Sequence, residues 1–215
     1  KEIIQKKFDD VIDADIIDIG CESSRPGASP ITLEEEIKRL KLSIPYIKSI
    51  PTKVLSIDTT KYKVAKLAVE NGFSIINDIS AGKQDLEIFN LAAINNVKII
   101  LMHMSGTPKT MQVNLLNKLN IKAVINFLDE RINLAIKYGI SEKNIIIDPG
   151  IGFGKSINDN YMIINNLDKI VALGFPVLIG ISRKSFLEYL KDKPIDRLSS
   201  SIGVSALAVS KGVNI

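Results

Sequence analysis

The 215 residues, 46% of them hydrophobic, suffice for one domain of generous size with a full core and exclude a disordered chain. Net charge is +4, but 23 of the 28 basic residues are Lys beside 37 Ile, a compositional bias with no window interleaving basic and aromatic residues, so no nucleic-acid partner is expected. Cys21 and His103 are the sole residues of their types, which excludes an intrachain disulfide and a zinc cluster; with no 18-residue apolar run and no signal peptide, a cytoplasmic protein without membrane contact is expected.

In chain order the pattern predicts helix 2–13, strand 15–19, loop 20–31, helix 32–49, strand 53–57, helix 60–71, strand 74–79 and helix 84–95. Strand 97–103, loop 104–117, helix 119–138, strand 144–148, loop 149–157, helix 158–172 and strand 176–181 follow, then a loop and helix 199–211. Val213-Asn214-Ile215 reads as the opening of another strand. Thr32 before Glu34-Glu35-Glu36 is a helix cap with an acidic first turn, and Gly72 and Gly139 sit at helix ends.

The strands are near-continuous Ile, Val and Leu, as in parallel sheets covered on both faces. Strict alternation with helices means an α/β fold, and polar clusters recur at the strand ends around the whole alternation. That favours a closed (β/α)8 TIM barrel, with its chemistry on the rim at the strand C-termini, over an open sheet with one switch point. No linker divides the chain, so residues 1–215 read as a single domain. One strand before Lys1 and a helix after Ile215 are expected to complete the barrel.

Asp148-Pro149-Gly150-Ile151-Gly152-Phe153-Gly154-Lys155 is the sharpest segment. It has neither the spacing of a P-loop nor the glycine of a dinucleotide fingerprint at Lys155. It is expected to hold Asp148 at a strand tip and to let a ligand approach the backbone; the plain alternative is a tight turn. Ser182-Arg183-Lys184 places two cations at a helix start, where the dipole disfavours them, and so suggests an anion or heterocycle site. Glu22 to Ala28 is a polar loop suited to a phosphate. Asp58 and Asn77 end their strands. His103 alternates with Met102 and Met104, so one parity faces the barrel: Met102 is expected against a flat ligand and His103 outward. Cys21 reads as a small buried residue.

Six collinear segments, IIDIGCESSRPGA (16–28), SIDT (56–59), IINDIS (75–80), LMHMSGTPKTMQ (101–112), DPGIGFGK (148–155) and GISRKSF (180–186), resemble the dihydropteroate synthases over almost the whole chain. The resemblance implies a β/α barrel that joins dihydropterin pyrophosphate to p-aminobenzoate with Mg²⁺, releasing pyrophosphate. It implies that Asp58, Asn77, Ile79, Met102, Asp148 and Lys184 form a pterin pocket. Ser24, Arg25 and Pro26 would belong to a loop over pyrophosphate and aminobenzoate, and Phe153 and Ser185 would line the aminobenzoate side. Arg25 and Lys184 would be catalytic, and a homodimer is implied. The family's Mg²⁺-binding Asn would lie upstream of Lys1.

The chain departs from the family pattern in two places: Cys21 stands where Gly is usual, and Ser24 where Thr is usual. A non-catalytic pterin-binding remnant is the alternative from another class. A methyltetrahydrofolate-dependent methyltransferase domain is a further one, weakened by the Glu22–Gly27 and Ser182–Phe186 segments, which methyl transfer does not need.

Overall fold

A computed structural model describes residues 13–24, 27–47, 53–106, 119–189 and 197–215, and the helix expected at 2–13 therefore lies almost wholly outside the described residues. Five strands alternate with helices. They are β1 (Ile16–Gly20), β2 (Val54–Asp58), β3 (Ile75–Asp78), β4 (Lys98–Met102) and β5 (Ile145–Asp148). The helices are α1 (Leu33–Ile47), α2 (Tyr62–Glu70), α3 (Glu87–Asn95), α4 (Ile121–Lys137), α5 (Ile157–Asn165), α6 (Leu167–Val171) and α7 (Leu198–Ser210).

Local chemistry sets several of these boundaries. The Thr32 hydroxyl accepts the Glu35 N–H (3.3 Å) at the head of α1, and the Asn120 side chain accepts the Ala123 N–H (2.8 Å) before α4. Ser156 and Asp159 form a reciprocal capping box at α5. The helix expected over 158–172 is two helices, because Asn166 leaves the helical region at φ −113° and ψ 23°.

All strand pairs are parallel, and their spatial order β1-β2-β3-β4-β5 follows the sequence. A doubly wound sheet reverses direction at a switch point, whereas a barrel wall does not. Beyond β5 the wall continues through Val177, bridged to Ile147, and through 213–215: Asn214 and Ile215 N–H both donate to the Val177 carbonyl, and Ile179 N–H donates to the Ile215 carbonyl. The fold is therefore a (β/α)8-type barrel wall.

The strand expected over 176–181 is reduced to that single bridge. The backbone of β5 runs out at Asp148-Pro149, and a proline has no N–H to extend the ladder. Residues past Leu178 turn into the segment carrying Arg183 and Lys184.

Strand alternation divides the side chains between two layers. Ile57, Ile76, Ile99, Leu101, Ile145, Ile147 and Val177 point outward against the helices, each fully buried. Burying such a chain contributes about 1.5–3 kcal/mol, so this layer is the principal source of stability. The opposite parity gives a second, inner cluster of Ile75, Ile100 and Ile146 with Ile16 and Leu178 packed on it. That cluster is a packed floor, and the strand C-termini rise above it.

The loops after β4 and β5 are laced together. His103 N–H donates to the Asp148 carbonyl at 2.8 Å, and Ser105 N–H to that of Phe153 at 3.5 Å. Gly150 (φ +68°) and Gly154 (φ +65°) allow it: a Cβ at the first would overlap the His103 carbonyl oxygen, and at the second that of Ser105. What approaches these glycines is the neighbouring loop's backbone, where the sequence suggested a ligand.

Gly150→Ala should therefore destabilise the protein by about 3 kcal/mol or more. Gly174→Ala, also at positive φ (+85°) but with open space around it, should cost only about 1–2 kcal/mol. Urea unfolding of both variants checks this; equal losses would show that backbone strain alone, not the close approach, fixes the glycine.

Candidate active site

Above the isoleucine floor the inward-facing residues turn polar. Asp18 of β1, Ser56 and Asp58 of β2, Asn77 of β3, Met102 of β4 and Asp148 of β5 line one cavity of about 250 Å³. Ile79, Ser24, Phe153 and Lys184 close its upper part. Register explains the convergence: Gly20, Asp58 and Asn77 are laterally aligned, as are Met102 and Asp148. Asn77 in turn aligns with Ile100, so Met102 and Asp148 stand one inward step further along their strands, and both sets reach the same cavity.

Of the residues singled out from the sequence, Ser24, Asp58, Asn77, Ile79, Met102, Asp148, Phe153 and Lys184 meet in this cavity. Arg25 and Pro26 lie outside the described residues. Ser185 is exposed at the start of a 3-10 turn (Ser185–Tyr189) and is not among the residues lining the cavity. That turn also replaces the α-helix start expected at Ser182. Arg183 instead sits at φ +51°, its N–H donating to the Ser201 hydroxyl (2.8 Å) and its carbonyl accepting from Arg197 (3.1 Å). The kink leaves Lys184 directed into the barrel.

Lys184 donates to the Ile151 carbonyl, and its ammonium stands 4.7 Å from the centre of the Phe153 ring. Burial lowers its pKa, and the Asp148 carboxylate opposes that shift. Asp148, itself buried, accepts the Gly150 N–H at 2.7 Å. Burial raises its pKa, against the Gly150 N–H and the nearby Lys184 and Lys155 ammonium groups. The pair is a desolvated acid and base facing one space.

Among the described residues no such cation offsets the burial of Asp58. Burial, then the charges of Asp18, Glu36, Asp78 and Glu22, push its carboxyl up to about 8. The ligand-free site therefore holds Asp58 largely protonated near neutrality. A ligand presenting N–H donors would favour the carboxylate instead. Asn77 Nδ2 donates to Asp18 (3.0 Å), which orients the amide and leaves its carbonyl oxygen as the acceptor. The Ser56 hydroxyl is buried on the cavity wall with no hydrogen-bond partner among the described residues.

Met102 lines the cavity, whereas His103, one residue on, packs edge-on against Phe127 of α4 at 5.0 Å. Burial, then Lys155 and Lys83, pull the imidazole down to about 3, so it is neutral. Cys21 is half-buried and free, its thiol pushed up to about 11, mainly by burial.

Two lysines carry structural roles that sequence reading did not assign. Lys155 is buried and donates to the carbonyls of Gly150 (2.8 Å), His103 (3.0 Å) and Phe153 (3.0 Å), clamping the two loops. Burial pulls it down to about 7, and Asp148 opposes the shift. Lys61 sits just outside the cavity, between Glu22 and Glu36. Asp18 was legible by parity, since it lies two residues before the Gly20 that pairs with Asp58; the lysines' partners are distant or backbone atoms and left no local pattern.

Known proteins match this architecture. The family of pterin binding enzymes matches residues 13–215. The dihydropteroate synthase of Clostridium beijerinckii is 39% identical over 216 residues, covering 98% of this chain and 77% of that protein. A crystal structure of dihydropteroate synthase from Anaplasma phagocytophilum, with bound 6-hydroxymethylpterin-monophosphate, superposes with a TM-score of 0.91 at 35% identity, covering 98% of this chain and 85% of that one. The enzyme of Thermus thermophilus, in complex with 4-aminobenzoate, gives 0.87 at 34% identity, over 97% and 80% of the two chains. The chain belongs to the pterin binding enzyme family, that of the dihydropteroate synthases.

Proposed function

We propose that the chain is a dihydropteroate synthase, a transferase of folate synthesis. It joins 6-hydroxymethyl-7,8-dihydropterin pyrophosphate to p-aminobenzoate and forms 7,8-dihydropteroate and pyrophosphate. One observation carries the reading: two carboxyls (Asp58, Asp148), an amide (Asn77) and an ammonium (Lys184) line one cavity, between an apolar floor and the flanking Met102 and Phe153. A planar bicycle with a donor edge and an acceptor edge satisfies those four groups together.

In this proposal Asp148 and Asp58 accept ring N–H bonds, Asn77 reads a mixed edge and Lys184 donates to ring acceptors. Ile79 and Met102 pack on the ring. The exocyclic C–O bond breaks, its electron pair leaving with pyrophosphate. The aniline nitrogen of p-aminobenzoate forms the new C–N bond and gives up a proton. An electron-rich pterin spreads the positive charge that develops at the carbon, so no covalent enzyme intermediate is required. Arg25 meets the charge on the departing group, Ser24 and Pro26 flank it, and Phe153 and Ser185 face the aminobenzoate.

Mg²⁺ belongs to the proposal as the companion of the pyrophosphate, a ligand this ion favours. Among the described residues no group of three or more acidic, histidine or cysteine side chains could hold a metal ion. We further propose a single domain over 1–215, located in the cytoplasm and paired as a homodimer. The free cysteine suits a reducing compartment. Among the described residues no helix is long and apolar enough to cross a membrane. Exposed Ile202 and Val209 on α7 support pairing.

The defining assay is pyrophosphate release from dihydropterin pyrophosphate. It should require both p-aminobenzoate and Mg²⁺; release that ignores p-aminobenzoate, or none in the presence of both, would overturn the reading. Asp148→Asn removes one acceptor and should weaken pterin binding about 10- to 100-fold by fluorescence titration. Lys184→Ala should lower kcat/KM on the order of 100-fold while leaving Tm nearly unchanged.

Asp58 makes a prediction of opposite signs. Its folded pKa lies above the unfolded value, so the folded state binds the extra proton and stability falls as pH rises between about 4 and 8. Asp58→Asn should flatten that decline and raise ligand-free stability at pH 8 by on the order of 1 kcal/mol, discounted because the carboxyl is partly exposed. The same variant should bind pterin less tightly. Thermal unfolding across pH, paired with the titration, checks both.

A further inference from the structure

The loop that follows β1 is held at both ends by one side chain. Lys61, at the head of α2, donates to the Glu22 carboxylate at the start of that loop and to the Ile31 carbonyl at its close (3.1 Å). It also donates to Glu36 of α1 at 2.6 Å. Glu36 is 1% exposed, and its second oxygen accepts the Thr59 hydroxyl at 2.7 Å. The network is thus anchored on β2 through Thr59, the residue next to Asp58. Bonds to two carboxylates hold the ammonium in its charged form although burial opposes it.

The arrangement is more than a surface ion pair. Glu36 is a buried carboxylate, and removal of one partner of such a group leaves the other uncompensated. Three elements and both ends of one loop depend on a single nitrogen. Ser24 lies two residues beyond Glu22 and lines both the barrel cavity and the adjoining recess of about 240 Å³ that also holds Glu22, Glu36 and Lys61.

We propose that Lys61 is a positioning residue for the reaction: by bracing the base of the 22–31 loop against α1 and β2, it sets the Ser24 segment at the mouth of the cavity. The inference rests on the proposed function for its kinetic consequences, but the brace itself is testable without turnover. Lys61 touches no reacting atom. It acts on the part of the site that faces the leaving group and the second substrate, leaving the pterin-facing groups of β3, β4 and β5 in place.

Hydrogen–deuterium exchange and steady-state kinetics on Lys61→Met, Lys61→Arg and Glu22→Gln test this in the intact protein. In Lys61→Met, amides of residues 20–24 and 27–31 should exchange at least tenfold faster while those of β3 to β5 keep the parent's protection. The KM for p-aminobenzoate should rise about tenfold or more, whereas the affinity for a pterin lacking pyrophosphate should stay within twofold. Lys61→Arg should recover part of the loss, since a guanidinium can span two carboxylates, and Glu22→Gln, which keeps the buried pair, should show the same pattern more weakly. Unchanged loop exchange in Lys61→Met overturns the brace. Faster loop exchange with an unchanged p-aminobenzoate KM, or with parallel losses of both affinities, overturns the positioning role. A parent protein without p-aminobenzoate-dependent turnover defeats the functional reading instead, while loop exchange still decides the brace.

Discussion

A parallel strand in a barrel wall cannot send two successive side chains to the same side, and the whole site follows from that. Ile57 and Ile76 face the helices, so Asp58 and Asn77 must face the cavity; Ile147 faces the helices, so Asp148 must not. Sequential pairing aligns Asp58 with Asn77 and sets Asp148 two residues further along the wall, so that all three reach one cavity. Hydrophobic burial on the outer parity supplies the stability that permits uncompensated polar groups on the inner parity. Asp58, pushed up to about 8 by burial and by neighbouring carboxylates, shows how far the cavity departs from a stability optimum.

Around that frame the loops are fixed chiefly by lysines. Lys155 gathers three backbone carbonyls from the loops after β4 and β5, and Lys61 gathers two carboxylates and a carbonyl around the loop after β1. Both use the ammonium as a three-donor hub, which suits carbonyl and carboxylate oxygens arriving from different directions. Lys184 differs in having an aromatic face and a single carbonyl as partners, with Asp148 opposing the effect of its burial.

Much of this is legible in the sequence. Period and polar strand ends pointed to the barrel; Asp58 and Asn77 read as strand ends, Asp148 as a strand tip, and parity separated Met102 from His103. Other features depend on contacts between segments far apart in sequence. The glycines at 150 and 154 looked like room for a ligand and serve the backbone of His103 and Ser105, because only the fold reveals which chain segment passes there. Residues 176–181 carry strand-forming side chains, yet Pro149 ends the ladder they would have joined. Ser185 belongs to a motif with Lys184; it is exposed at the start of a 3-10 turn, whereas Lys184 lines the cavity. Lys61 had no signature, since its partners lie 25 and 39 residues away.

The central claim is spatial: the groups at the tips of β2, β3 and β5, together with Lys184, grip one flat bicyclic ring. The most direct measurement is a crystal structure of the protein soaked with dihydropterin pyrophosphate. The account predicts ring nitrogens within hydrogen-bond distance of Asp58 and Asp148, with Asn77 and Lys184 on the remaining polar atoms. A pterin bound anywhere else, or a barrel cavity left empty at saturating ligand, would contradict it.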